Sequence, residues 1–387
     1  MMERKYDVVV VGAGPTGSTA ARICAKSGLS TLLLEEQAHI GYPVQCAGLL
    51  SNHAFEECEV SSTSVMNTVS GADIRAGNAH CSFDAGKTMA YVVDRGILDR
   101  EMAMNSADAG AEIQLKTIAK NISRTQHTIT VSGLNGKEDI SYSMLIAADG
   151  PRSVISRALG IPGAPVYLSG LQCDVNMEVI REQVHIFPNA SPDFFAWIIP
   201  LDSDHARVGL CGIKDVRSRF FSFIHPYQDR CTHFVSGTIP LGLKSRTYDE
   251  RILICGDAAA MAKPTSGGGV YTGCRSARHA ADVAIKTIEQ DNYTIPMMAR
   301  YEKAWKKDFG HEIRKGFSLF NIRRQISPVE MEQLISTLSH EKIRNLIVSK
   351  GDMDRPSRLA AALMVNPRML PAYSILMKAG IHSILNR

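Results

Sequence analysis

The chain has no Cys-x-x-Cys pair and no cysteine–histidine spacing that would ligate zinc or an iron–sulfur cluster. Its nine cysteines (Cys24, Cys46, Cys58, Cys81, Cys173, Cys211, Cys231, Cys255 and Cys274) are scattered and read mostly as small buried hydrophobes. No uninterrupted run of 18 apolar residues occurs, which argues against a membrane-spanning helix. The net charge is only +4, too small to argue for a nucleic-acid partner. No leader pattern precedes the first strand, so a cytoplasmic location is expected. Internal repeats are absent. With 45% hydrophobic and 21% charged residues, the composition is that of a folded chain long enough for two cores.

The distribution of charge says more than its sum. Residues 302–387 carry 15 Lys and Arg against eight Asp and Glu, a net of +7, which leaves −3 for residues 1–301. A basic C-terminal segment can be a solvated helical face, or it can meet anionic lipid or an acidic electron carrier. Its most apolar stretch, Leu359 to Leu385, is interrupted by Asn366, Pro367, Arg368, Pro371 and Lys378. That pattern suits either a segment that completes a core or peripheral contact at the inner face of the cell membrane.

The first 35 residues carry the clearest signal. An apolar strand, Tyr6 to Val11, runs into Gly12-Ala13-Gly14-Pro15-Thr16-Gly17, then a helical stretch, then a second strand, Thr31 to Leu34, closed by Glu35. Gly12 permits the turn off the strand, Gly14 lets backbone amides approach a pyrophosphate, and Gly17 lets helix and strand pack closely. Glu35 is placed to accept the hydroxyls of an adenosine ribose. Strand, turn, helix, strand and acid in this order predict a dinucleotide site.

Further along, Glu36 to Leu50 reads as a loop long enough to suspect function. Short strands follow over residues 65–90, and Asp94-Arg95-Gly96 opens a helix running to Gly110. A β stretch covers Glu112 to Leu115, and strand alternation continues over 118–142 around the turn Asn135-Gly136. The strand Met144 to Ala148 ends in Asp149-Gly150. Residues 167–247 are β segments with aromatics, read as a second, sheet-based domain. Arg251 to Cys255 is again a buried strand. It leads through Gly256-Asp257-Ala258-Ala259 and Gly267-Gly268-Gly269 into a long helix, Val270 to Gln290, and residues 297–387 read as wholly helical.

The Gly12–Gly17 turn, Asp149-Gly150, and Gly256-Asp257 with the glycine triplet together resemble the FAD-binding signature of the p-hydroxybenzoate hydroxylase-like flavoproteins. Two further motifs are similar to those of the geranylgeranyl reductase family, and most like its archaeal digeranylgeranylglycerophospholipid reductase branch. The loop Gly41-Tyr42-Pro43-Val44-Gln45-Cys46-Ala47-Gly48 is similar to that family's Gly-x-Pro-Val-x-Cys loop. Phe195-Ala196-Trp197-Ile198-Ile199-Pro200 is similar to its Tyr-x-Trp-x-Phe-Pro motif, with Phe195 and Ile199 as departures that keep the site apolar. The likeness covers roughly residues 4–300 well and the helical tail loosely.

The resemblance implies an α/β fold in which a Rossmann-like FAD domain (1–165 and 248–296) carries an inserted β-sheet substrate domain (166–247), followed by a helical C-terminal region (297–387). It also implies FAD contacts at Gly12, Gly14, Gly17, Glu35, Cys46, Ala47, Leu49, Arg95, Ala119, Asp257, Gly268, Gly269 and Val270, and substrate contacts at Phe195, Trp197 and Pro200. Asp257 as a helix cap, Cys46 as a buried structural thiol and Trp197 as a core tryptophan are the competing readings.

The implied activity is FAD-dependent saturation of prenyl double bonds in isoprenoid ether lipids of archaeal membranes, with Cys46 a candidate catalytic group. Only one Gly-x-Gly-x-x-Gly follows a strand, so the reductant is expected from outside: NAD(P)H, a ferredoxin or a reduced deazaflavin. The alternatives are a flavin monooxygenase or halogenase of the same fold, a reductase of another polyprenyl compound, or a non-catalytic prenyl-lipid carrier that keeps FAD as structure.

Overall fold

A computed structural model describes residues 4–134 and 136–385. It contains three sheets. The first holds β1 (Arg4–Val11), β2 (Thr31–Leu34), β8 (Glu112–Gln114), β9 (Ile118–Ser123), β10 (Thr128–Gly133), β11 (Gly136–Ala147), β17 (Tyr248–Asp249) and β18 (Ile252–Ile254), in the order β17-β18-β11-β1-β2-β8. The second holds β5 (Gly71–Ala76), β6 (Ala79–Asp84), β12 (Val166–Asn176), β13 (Gln183–Phe187), β14 (Ala196–Pro200), β15 (His205–Gly212) and β16 (Cys231–Leu241), in the order β16-β12-β15-β14-β13-β5-β6. A small third sheet is β3 (Leu49–Ser51), β7 (Ala90–Val93) and β4 (Val65–Val69).

The parallel strands of the first sheet read as unbroken apolar runs because both their faces are covered. Val8, Val9, Val10, Leu32, Leu33 and Leu34 are all fully buried. Helix α1 (Pro15–Lys26) is the crossover between β1 and β2 and packs against α3 (Arg95–Asp108) and α6 (Val270–Glu289). Strand β11 serves twice. Its first half pairs antiparallel with β10, and its second half pairs parallel with β1 and β18. Short helices α2 (Asn52–Cys58), α4 (Val154–Ala158) and α5 (Val216–Ile224) fill in around the sheets. The C-terminal region is α7 (Ile295–Trp305), α8 (His311–Arg323), α9 (Pro328–Leu338), α10 (Glu341–Lys350), α11 (Ser357–Met364) and α12 (Leu370–Leu385). Helix α7 closes the first core: Tyr301 and Trp305 are fully buried, with Tyr301 Oη donating to the Ile254 carbonyl at 2.7 Å.

One sequence reading shifts. The hairpin β5–β6 lies within the stretch assigned to the FAD domain, yet β5 pairs parallel with β13 and so extends the second sheet. Short strands do not declare their sheet, because pairing is set by partners more than a hundred residues away. Of the turn expected at Asn135-Gly136, Asn135 lies outside the described residues.

Candidate active site

The dinucleotide motif forms as its spacing requires. Gly12 has φ +97°, and a Cβ there would stand 2.4 Å from the Ala148 carbonyl oxygen, while one on Gly17 would stand 1.8 Å from Gly12 O. Side chains are excluded at both positions. A Cβ on Gly14 meets nothing within 4 Å, because that position faces an open groove. No side chain caps α1, so its first amides are free for an anion. Glu35, at the end of β2, accepts the Ala13 amide at 2.8 Å and the Gln37 amide at 2.9 Å, which aims its carboxylate at the same groove. The β8–β9 turn docks there through Thr117 N to Glu35 O at 2.8 Å, with Ala119 two residues on and buried.

The groove continues past Thr16, whose hydroxyl fills the space left by two glycines. A Cβ on Gly256 would stand 2.6 Å from Thr16 Oγ1, and one on Gly273 would stand 2.3 Å from it. This close approach of α1 to α6 brings in Asp257. Its half-buried carboxylate lies against Gly269, where a Cβ would stand 2.8 Å from Oδ1. Among the described residues nothing donates a hydrogen bond to this carboxylate, and it caps no helix. Burial raises its pKa to about 6, against the lowering effect of the Arg95 charge.

Arg95 is the first residue of α3, which Asp94 caps by accepting the Ile97 amide at 3.0 Å. Burial works against the Arg95 charge, but Asp99 (Nε to Oδ1, 2.8 Å) and the Cys46 thiol hold its pKa above the ordinary value. Arg95 meets Cys46 because the 36–48 loop crosses the start of α3. The Tyr42 ring sits where a Cβ on Gly96 would be 3.0 Å away, and a Cβ on Gly41 would lie 2.9 Å from Gly96 Cα. Cys46 Sγ also accepts the Gly48 amide at 3.4 Å.

The second sheet supplies the facing wall. Alternation along β14 puts Trp197 and Ile199 on the inner face and Ala196, Ile198 and Pro200 on the face toward α5. Pro200 is therefore not brought to the site: it points away, and its carbonyl accepts Asn67 Nδ2. Phe195 and Trp197 meet edge to face at 6.2 Å. Phe194 stacks on Phe195 at 4.2 Å and continues to Phe320 and Phe317 of α8. This aromatic bank reaches the glycine triplet: a Cβ on Gly267 would lie 3.0 Å from Ile239 and 3.6 Å from Phe194. Gly268 lies over the Lys263 side chain, and Gly269 and Val270 begin α6, whose first turn no side chain caps. Leu49 starts β3, opposite Val92.

Several residues escaped the sequence reading. Gln172 Nε2 donates to Cys46 O at 3.0 Å, and Arg207 Nη1 donates to Ala47 O at 3.2 Å while Asp174 holds Arg207 at 2.8 Å. These groups pin the cysteine loop to the sheet. Gly209 lies under the Trp197 ring, 2.2 Å from where its Cβ would be, and Gly237 makes room for Gln45. Glycine inside a strand is the signal for such close approach. Arg323 donates to the carbonyls of Ser191 and Phe194 at 2.8 Å, fixing the turn that presents the aromatics. Burial lowers its pKa to about 10. Asp149 Oδ2 accepts the Val154 amide at 2.7 Å and the Ile155 amide at 3.2 Å, bracing the first turn of α4, which Ser153 caps.

The groove, two uncapped helix starts and an undonated carboxylate fit an extended dinucleotide, and the FAD binding domain family matches residues 5–220. Fold and site define an FAD-dependent oxidoreductase. Digeranylgeranylglycerophospholipid reductase 2 of Methanopyrus kandleri is 30% identical over 375 residues, covering 90% of this chain and 93% of that one. A geranylgeranyl bacteriochlorophyll reductase-like structure from Thermoplasma acidophilum matches with TM-score 0.87 at 26% identity, covering 96% of this chain and 100% of that one. The chain belongs to the geranylgeranyl reductase family of flavoproteins. The p-nitrophenol 4-monooxygenase of Pseudomonas putida, at 18% identity, TM-score 0.73 and coverage of 90% and 98%, shares the fold alone.

Proposed function

We propose that this protein reduces isolated prenyl double bonds of a polyprenyl lipid, an ether lipid of archaeal membranes in the first instance. One observation carries this: the aromatic bank of Phe194, Phe195, Trp197, Phe317 and Phe320 runs directly up to the glycine triplet beside the cysteine loop. An apolar chain laid along it would end at the redox centre.

Bound FAD supplies the two electrons, as hydride. An isolated alkene is not an electrophile, so a proton must reach one carbon as hydride reaches the other. The tertiary carbon then carries developing positive charge. The indole face of Trp197 can stabilise that charge, and the aromatic bank excludes the water that would trap it. Cys46 is the candidate proton donor. As its S–H bond breaks, the sulfur's negative charge is met by the Arg95 guanidinium and the Gly48 amide. Arg95, Gln172 and Arg207 act as positioning residues, holding the loop that carries the thiol. The electron donor is a transiently docked partner, NAD(P)H, a ferredoxin or a reduced deazaflavin.

The test is anaerobic. Reduced holoprotein is mixed with geranylgeranylated glycerol lipid, flavin re-oxidation is followed by absorbance, and the lipid is weighed by mass spectrometry. Re-oxidation with a gain of two hydrogens per double bond is expected. A flavin that stays reduced until oxygen enters would instead favour a monooxygenase. For Cys46→Ala the single-turnover rate should fall by about 10²-fold or more, the usual worth of a general acid. Full retention of the rate would remove Cys46 from the chemistry.

A further inference from the structure

We propose that the α11–α12 face is a docking surface for an anionic lipid bilayer. From Arg355 to Arg387 the chain has five Lys or Arg and no Asp or Glu. Within this stretch Met364, Val365, Leu370, Met377, Ile381 and Ile384 are 56–81% exposed. On α12, Leu370, Met377, Ile381 and Ile384 are spaced i, i+7, i+11 and i+14, so they form one line along the helix, about 21 Å long at 1.5 Å per residue. The opposite line, Ala372, Ile375 and Ala379, is buried in the C-terminal core against β6 and α9. A helix that is apolar on both sides, with only one side buried in protein, has its second side left for another apolar phase.

Geometry decides between crossing a membrane and lying on it. Among the described residues no single helix is long and apolar enough to span, and the α11–α12 pair is bent by 87°. The bend is locked by Tyr373 Oη donating to Met364 O at 2.7 Å, which leaves Met364 and Val365 outermost. Arg358 and Arg368 are exposed on either side of this corner, while Lys378 of α12 is exposed but paired with Glu330 of α9 at 2.7 Å, so the two arginines carry the charge argument. An apolar line flanked by cations is the pattern of a helix seated at a lipid interface. A second copy of the chain is a poor occupant, since it would bring two all-cationic segments together.

The test uses full-length holoprotein and vesicles of saturated phosphatidylglycerol, with saturated phosphatidylcholine as the uncharged comparison. These lipids have no prenyl double bond, so binding is read independently of the reductase reading, and either reading can fail without the other. Co-sedimentation with the anionic vesicles is expected, weakened as ionic strength rises. The exposed-site variant Met377→Glu/Ile381→Glu should reduce the bound fraction by about tenfold or more with its flavin spectrum intact. Arg358→Glu/Arg368→Glu should reduce it on anionic vesicles alone. The proposal is overturned by absence of sedimentation, by equal sedimentation of wild type and both variants, or by a dimer in solution that Met377→Glu/Ile381→Glu dissociates.

Discussion

The Asp257 carboxylate is half-buried, accepts no hydrogen bond among the described residues, and is raised by burial to about pKa 6, which fits the proposed contact to a ribityl hydroxyl. A ribityl hydroxyl donates best to the ionised form, so FAD binding and ionisation favour each other. Affinity for FAD should therefore weaken as pH falls through about 6. Asp257→Asn should bind about tenfold more weakly at neutral pH, the worth of one charge-assisted hydrogen bond, with that pH dependence flattened. Titration of apoprotein with FAD by fluorescence quenching gives both readings, and an unchanged pH profile in the variant would count against the assignment. Gly209 makes a separate claim on substrate geometry. A methyl group there collides with the Trp197 ring, so Gly209→Ala should lower the prenyl reduction rate by about tenfold or more through misplacement, while flavin content and dithionite reduction stay normal. The resemblance had already placed Asp257 at the flavin, with helix capping as the competing reading, whereas Gly209 gave no signal because it stands in an otherwise ordinary strand.

Among elements, the contact between α1 and α6 decides whether the groove is continuous. It is tied at the surface by Glu57 and Glu59, which join α2 to Arg275 and Arg278 of α6 and to Arg22 of α1. Hydrogen bonds from Arg22 and Arg278 lower the Glu59 pKa to about 2 from 4.5, outweighing partial burial. A carboxylate whose folded pKa is depressed adds stability that is present above its unfolded pKa and lost as pH falls toward its folded one. The difference in thermal midpoint between wild type and Glu59→Gln should therefore be full above about pH 5 and close as pH falls toward 2. A difference independent of pH would mean the side chain acts through packing alone. Elements were the most legible scale in the sequence. The apolar runs of β1, β2 and β18 and the glycine-led starts of α1 and α6 are local signals, whereas the membership of β5–β6 in the second sheet is a tertiary fact.

Across the whole molecule, one buried ion pair joins the C-terminal helices to the segment that carries the glycine triplet. Lys263 Nζ donates to Asp354 Oδ1 at 2.5 Å and to Met353 O at 3.0 Å, and Ser51 donates to the other Asp354 oxygen at 2.5 Å. The Lys263 stem lies under Gly268. Removing one partner strands a buried charge, so Asp354→Leu or Lys263→Met should cost about 3–5 kcal/mol, while the double variant should recover much of the loss. Denaturant unfolding of the four proteins closes the cycle, and simple additivity would show the pair to be uncoupled. Because the pair sits behind the glycine triplet, the single variants should also bind FAD more weakly.

The dinucleotide site and the helical tail were legible because each depends on neighbours close in sequence: a turn needs its glycines, a helix its period, a dinucleotide its acid at the end of the second strand. That the dinucleotide is FAD came from the resemblance of three separated stretches to one flavoprotein signature. The cysteine loop and the aromatic strand were legible as motifs, but not their meeting. That Gln172 and Arg207 hold the loop, that Pro200 turns outward while Trp197 turns in, and that Asp354 anchors Lys263 below the glycine triplet from 91 residues away all follow from strand register and long-range packing. Those are set by which surfaces bury together, and one-dimensional spacing does not encode them.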